Sequence, residues 1–160
     1  MAKKTNEKLM EMAIKQARKT MNKNYGGPFG AVIINEKGKV IAVSSNTVLK
    51  DKDPTAHAEI SAIRQATLKL KTHDLSNCVM FSTAFPCPMC LGAIIWSNIK
   101  TVYYGCDSKQ TNELGFRDDK IYEFLKDDCK NVNVLELSNQ DQEKCTALIT
   151  EYKEKEKQIY

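Results

Sequence analysis

The sequence has no uninterrupted apolar stretch near the roughly 20 residues of a membrane-spanning helix. Its opening residues, Met1-Ala2-Lys3-Lys4-Thr5-Asn6-Glu7, carry no apolar export segment. The expectation is a cytoplasmic protein with no membrane partner. Excess charge of one sign is also scarce: 24 Lys+Arg oppose 20 Asp+Glu, leaving +4, much of it near the two ends. That balance gives little support to a nucleic-acid partner. Proline and glycine number only 4 and 7 and cluster into no linker, and no repeat interrupts the chain. With 160 residues, 42% of them apolar, residues 1–160 read as a single domain around one core.

Six cysteines, at 78, 87, 90, 106, 129 and 145, are enough for three disulfides. A chain of this size without an export signal is expected to keep them as thiols. Only Cys87 and Cys90 are close enough in sequence to act as a metal pair. The other four read as small apolar residues.

The remaining pattern is one of alternating elements. Leu9, Ala13, Ala17 and Met21 recur at helical spacing over about residues 5–22, and Tyr25-Gly26-Gly27-Pro28-Phe29-Gly30 ends that helix. Ala31–Ile34 and Val40–Val43 flank a Gly-containing turn and predict a hairpin. A helix follows from Thr55 to about Leu70, then a strand (Val79–Ser82), a helix (Pro88–Ser97) and a strand (Thr101–Tyr104). A polar loop with a short helix, a strand (Val132–Leu137) and a charged helix complete the chain. The predicted fold is α/β: a three-layer α/β/α sandwich with a mixed five-stranded sheet, largely parallel after its opening hairpin. Glu and Lys alternate from Glu151 to Lys157, which reads as a solvated helix end.

Two motifs lie where helices begin. In Asp53-Pro54-Thr55-Ala56-His57-Ala58-Glu59, Pro54 and the polar residues mark a helix entry. Residues two apart point to different sides of a helix, so His57 and Glu59 converge only if they straddle its start. Pro86-Cys87-Pro88-Met89-Cys90 directly follows a predicted strand. Pro88 suits the first helical position, and Cys90 follows Cys87 by almost one turn, so both sulfurs can face one point. The partial positive charge of the helix start favours thiolates, which bind zinc. One His and two Cys make three ligands, the count of a catalytic zinc site with an open fourth position. Glu59, not itself a ligand, is placed to move protons between water, a ring nitrogen and a departing amine. Taken singly, Cys87 and Cys90 also read as core thiols and His57 as an ordinary helix-start residue. The combination H-x-E with P-C-x-x-C matches the signature of zinc nucleobase deaminases.

On these residues the chain resembles the cytidine deaminase-like superfamily and, within it, bacterial guanine deaminases. The resemblance covers nearly the whole chain through Gly26-Gly27-Pro28-Phe29-Gly30-Ala31-Val32, Asn46, the two zinc motifs, Leu91-Gly92-Ala93-Ile94, Trp96 and Gly115-Phe116-Arg117-Asp118. It implies one zinc per chain held by His57, Cys87 and Cys90, with Glu59 as catalytic proton carrier. Asn46 and Asp118 would hydrogen-bond a purine and Phe29 and Trp96 would flank its ring. Each also has a plainer reading: Asn46 as a turn residue, Asp118 as a helix cap, Phe29 and Trp96 as core. Tyr160, with Gln158 and Ile159, reads either as a lid contributing to substrate binding or as a fraying tail.

The implied reaction is hydrolytic deamination of guanine to xanthine and ammonia, by a homodimer acting on a free nucleobase. Deamination of a tRNA adenosine or of cytosine is the alternative, and a non-enzymatic zinc-binding protein is the third reading. The chain departs from the family at Ala84-Phe85, directly before Pro86, where an acidic residue is usual; a charge close to the metal loop is thereby removed.

Overall fold

The computed structural model describes residues 3–160, with side chains from residue 5 onward; Met1 and Ala2 lie outside it. Helix α1 (Lys3–Met21) turns Leu9, Ala13 and Ala17, spaced by four, into the core. Strands β1 (Gly30–Asn35) and β2 (Val40–Ser45) form the predicted antiparallel hairpin. Its turn is fixed by Asn35 Oδ1, which accepts the backbone N–H groups of Lys37 and Lys39 at 3.1 and 3.0 Å. Helices α2 (Val48–Asp51) and α3 (Ala58–Leu70) lead to β3 (Cys78–Ala84), then α4 (Pro88–Trp96) and β4 (Thr101–Cys106). The last elements are α5 (Ser108–Glu113), α6 (Asp118–Lys126) and α7 (Gln142–Glu154).

Among the described residues the sheet has four strands in the order β2-β1-β3-β4. Alternation along β1 divides the core. Val32 and Ile34 join Leu9 and Ala13 of α1 on one face. Ala31 and Ile33 join Ala58, Ala62 and Ala66 of α3 and Ile94 of α4 on the other. The three-layer arrangement is thus as expected.

Two details differ from the sequence reading. Parallel pairing is confined to β3–β4, because β1 lies antiparallel to both β2 and β3. The helical crossover through α3 does give β3 the direction of β2, but it delivers β3 to the far side of β1. The expected fifth strand, Val132–Leu137, is not formed. Asn131 Oδ1 instead accepts the N–H of Asn133 at 3.1 Å, and its carbonyl accepts those of Val134 and Leu135 at 3.0 and 3.3 Å. Such local bonds compete with a ladder, and β-favouring side chains hold an extended shape only when packed against neighbours.

The residues group into two compact units. The first ends at Asp119 and contains the sheet; the second, Lys120–Tyr160, contains most of α6 and all of α7. No helix among the described residues is long and apolar enough to cross a membrane.

Candidate active site

Strands β2, β3 and β4 point the same way, so the segments leaving them gather at one edge of the sheet, together with the segment entering antiparallel β1. A crevice at the carboxyl ends of strands is where α/β sheets place ligands. Here it receives Asn46 after β2, Cys87 after β3, Asp118 beyond β4 and Phe29 before β1.

The two helix starts build its floor. His57 is the N-cap of α3, extended at φ −71°, ψ 157°, and its side chain makes no capping bond. The turn before it is tied by Asp53 Oδ1, which accepts the Thr55 N–H at 2.8 Å and the Thr55 hydroxyl at 2.7 Å. Cys87 likewise is the N-cap of α4, extended at φ −65°, ψ 167°, with Pro88 at the first helical turn and no side-chain cap. Both caps therefore leave their side chains to face each other. Glu59 is the second residue of α3, so the pair straddles the helix start as its spacing requires.

His57 Nδ1 lies 3.5 Å from Cys87 Sγ and 3.6 Å from Cys90 Sγ, and all three donor atoms fall within 4.8 Å of one another. Tetrahedral zinc with bonds of about 2.0–2.1 Å to nitrogen and 2.3 Å to sulfur separates its N and S ligands by roughly 3.5 Å. The observed spacing fits that ion, and the borderline-soft N/S/S donor set suits it. A zinc ion held here would have three protein ligands, the count of a catalytic rather than a closed structural site.

Electrostatics agree with a cation here. The Cys90 thiol, and then His57, hydrogen-bond the Cys87 sulfur and draw its pKa down to about 4. Cys90 is pushed up, because its proton is held between the two sulfurs and its site is buried. His57 is raised by its bond to Cys87. A divalent ion held by these residues would displace the shared proton. Glu59, 6% exposed, is raised by burial. Asp118 is raised by burial and then by the Cys87 charge.

Above the cluster the pocket is walled by Phe29, Phe85, Phe116 and Thr111, with Asn46 and Asp118 as polar contacts. Phe29 and Phe116 meet edge to face, centroids 4.9 Å apart. Asn46 is both the turn residue and the pocket residue: its Oδ1 accepts the N–H of Gly27 at 3.3 Å and of Val48 at 3.1 Å. A Cβ on Gly26 would collide with the Asn46 side chain, and one on Gly27 would meet the Phe29 ring at 2.8 Å, so the two glycines let this loop close against the pocket. Phe85 packs edge to face on Tyr104, centroids 5.1 Å apart, and gives the pocket an apolar wall directly before Pro86.

His57, Glu59, Cys87, Cys90, Asn46, Asp118 and Phe29 are thus brought together. Trp96 is not among them. It ends α4, 70% exposed, and nine helical residues carry it roughly 13 Å along the axis from Cys87. Tyr160 belongs to the second unit and is 79% exposed. Phe116, Phe85 and Thr111 carry no site role in the sequence analysis, where Phe85 marks only the departure before Pro86. Phe116 carried a signal, two residues before Asp118 in Gly115-Phe116-Arg117-Asp118, whereas Thr111 sits in a polar helix with none.

A zinc site at two converging helix starts, with a buried glutamate beside it, defines a zinc-dependent hydrolytic deaminase. Residues 3–106 match the model of the cytidine and deoxycytidylate deaminase zinc-binding region, and the chain belongs to that family. Within it, the chain is 43% identical over 116 residues to the guanine deaminase of Bacillus subtilis, covering 72% of this chain and 74% of that one. The X-ray structure of guanine deaminase from Bacillus subtilis superimposes with a TM-score of 0.71 at 41% identity, covering 77% and 76% of the two chains. A structure solved in complex with 8-azaguanine is similar at a TM-score of 0.66 and 34% identity, covering 69% and 63%. The tRNA-specific adenosine deaminase of Haemophilus influenzae is 34% identical over 134 residues, 83% of this chain and 73% of that one.

Proposed function

We propose that this chain deaminates guanine to xanthine and ammonia by zinc-dependent hydrolysis. The observation that carries the reading is one pocket holding the His57/Cys87/Cys90 cluster, the buried Glu59 and a carboxylate, Asp118, that matches the donor edge of guanine. His57, Cys87 and Cys90 would hold a zinc ion there, which would supply Lewis acidity to water. Glu59 takes one water proton on a carboxylate oxygen and delivers it to a ring nitrogen as the new C–O bond forms; it then takes the proton of that hydroxyl and delivers it to the amine, so that the C–N bond breaks, ammonia leaves and the carbonyl of xanthine forms. Phe29 and Phe116, packed on each other, give the base an apolar wall. Asn46 Oδ1 is committed to the loop, so the amide nitrogen is the atom offered to a purine acceptor. Asp118 accepts from N1–H and the exocyclic amine together.

Residues 1–160 act in this reading as a single deaminase domain, in the cytoplasm and as a homodimer. Six free cysteines, two of them exposed, suit a reducing compartment. The exposed Ile95, Trp96, Tyr103 and Tyr104 of the first unit offer apolar area to a second copy.

The test is ammonia release from guanine, guanosine, adenine, cytosine and a tRNA anticodon stem-loop. Guanine is expected to be turned over best, and Glu59→Gln is expected to keep zinc while losing about 10²–10⁴-fold in kcat. Preference for the stem-loop would instead favour the reading suggested by the tRNA-specific relative.

A further inference from the structure

Glu59 is not held by its own helix alone. Along β3 the side chains alternate: Cys78 and Met80 enter the layer under α3 and α4, whereas Phe81 enters the layer under α1. Ser82, two residues beyond Met80, faces α3 and α4 and is 1% exposed. A hydroxyl at such a position costs stability unless it finds a partner. Its partner is Glu59, whose Oε1 accepts from Ser82 Oγ at 3.0 Å. The second oxygen, Oε2, lies 3.5 Å from Cys90 Sγ. One carboxylate oxygen is therefore tied to the sheet while the other is presented to the metal ligands.

We infer that Ser82 is a positioning residue, whose hydroxyl clamps Glu59 Oε1 to β3 so that Oε2 is the oxygen that takes up and releases the proton. This rests on Glu59 being the proton carrier. Ser82 Oγ donates to Oε1 when the carboxylate is ionised, and Oε1 still accepts when the proton rides on Oε2, so the clamp holds through the cycle. Without it the carboxylate can turn about its terminal torsion, which is broad and two-fold, and its reactive oxygen loses the alignment that proton transfer needs.

The experiment is a cycle of wild type, Ser82→Ala, Glu59→Ala and the double variant. Ser82→Ala is expected to lower kcat for guanine about 10- to 100-fold with KM changed by less than about twofold and zinc content unchanged. Ser82→Thr, which keeps the hydroxyl, is expected to recover most of that loss. In the Glu59→Ala background, removal of Ser82 should cost nothing further. If Ser82→Ala fails to fold, Ser82→Cys, close in volume and a weaker donor, carries the same comparison. Wild-type kcat in a folded variant, or an equal loss in both backgrounds, would overturn the proposal. The zinc-free proteins give a readout without turnover: urea midpoints of the four should be non-additive, and additivity would also overturn it. A wild-type chain inactive on guanine would defeat the function reading instead, leaving these midpoints to decide the role of Ser82.

Discussion

Two carboxylates, Glu59 and Asp118, share the pocket in different surroundings. Glu59 is buried against β3 and beside Cys90. Asp118, half-buried as the first residue of α6, faces the space a base would occupy. Guanine presents N1–H and its exocyclic amine as adjacent donors, whereas adenine has an unprotonated N1 and would oppose lone pair to lone pair. A carboxylate left desolvated and unpaired costs about 1–3 kcal/mol or more, so the wrong base is strongly disfavoured. Asp118→Ala is accordingly expected to depress kcat/KM for guanine by about 10-fold to several hundredfold, at about 1.4 kcal/mol per decade, with zinc unchanged. Steady-state kinetics with metal analysis checks this. Wild-type kinetics in the variant would assign Asp118 to the first turn of α6 and nothing more.

At the level of elements, the site depends on two helices beginning at the right place, and the turn before α3 can be tested on its own. Asp53 accepts two bonds from Thr55, which hold its carboxyl below the usual value of 3.8. A carboxylate with a lowered pKa adds stability that is present above the ordinary value and lost as pH falls through the lowered one. Asp53→Asn is thus expected to lower Tm at pH 7, with the gap to wild type closing once the pH drops below 3.8; a gap independent of pH would refute the ionic part of this tie. The same local character explains what could be read from sequence. His57, Glu59, Cys87 and Cys90 were legible because each sits at a helix start, announced by Pro54 or Pro88 within a few residues. The place of β1 between β2 and β3, which limits parallel pairing to β3–β4, follows from tertiary assembly and has no local signature. Val132–Leu137 has strand composition, but the backbone donors of Asn133, Val134 and Leu135 are spent on Asn131. Trp96 carried family resemblance, yet the length of α4 takes it away from the pocket.

For the whole molecule, the question is how far folding relies on the metal. Among the large fully buried side chains, Phe81, Ile33, Ile34 and Met80 lie on β1 and β3 and Leu75 in the connection from α3 to β3, apart from the ligand cluster. Cys87 and Cys90 form a separate small cluster with Ile60. A core of this kind is expected to form before any ion arrives, unlike a zinc finger, in which metal binding and folding are one event. Zinc then stabilises by mass action: free ion at about 1,000 times its Kd adds about 4.1 kcal/mol. At about 2–4 °C per kcal/mol for a chain of this size, stripping the ion should lower Tm by roughly 8–16 °C. Far-UV circular dichroism at 25 °C should be unchanged by the chelator, activity should vanish, and both Tm and activity should return on adding zinc. Cys87→Ser should match the stripped protein and gain no Tm from added zinc, since a hydroxyl replaces a thiolate ligand. Collapse of the circular dichroism signal on chelation would show that the sheet and its two helical layers do not hold together without the ion.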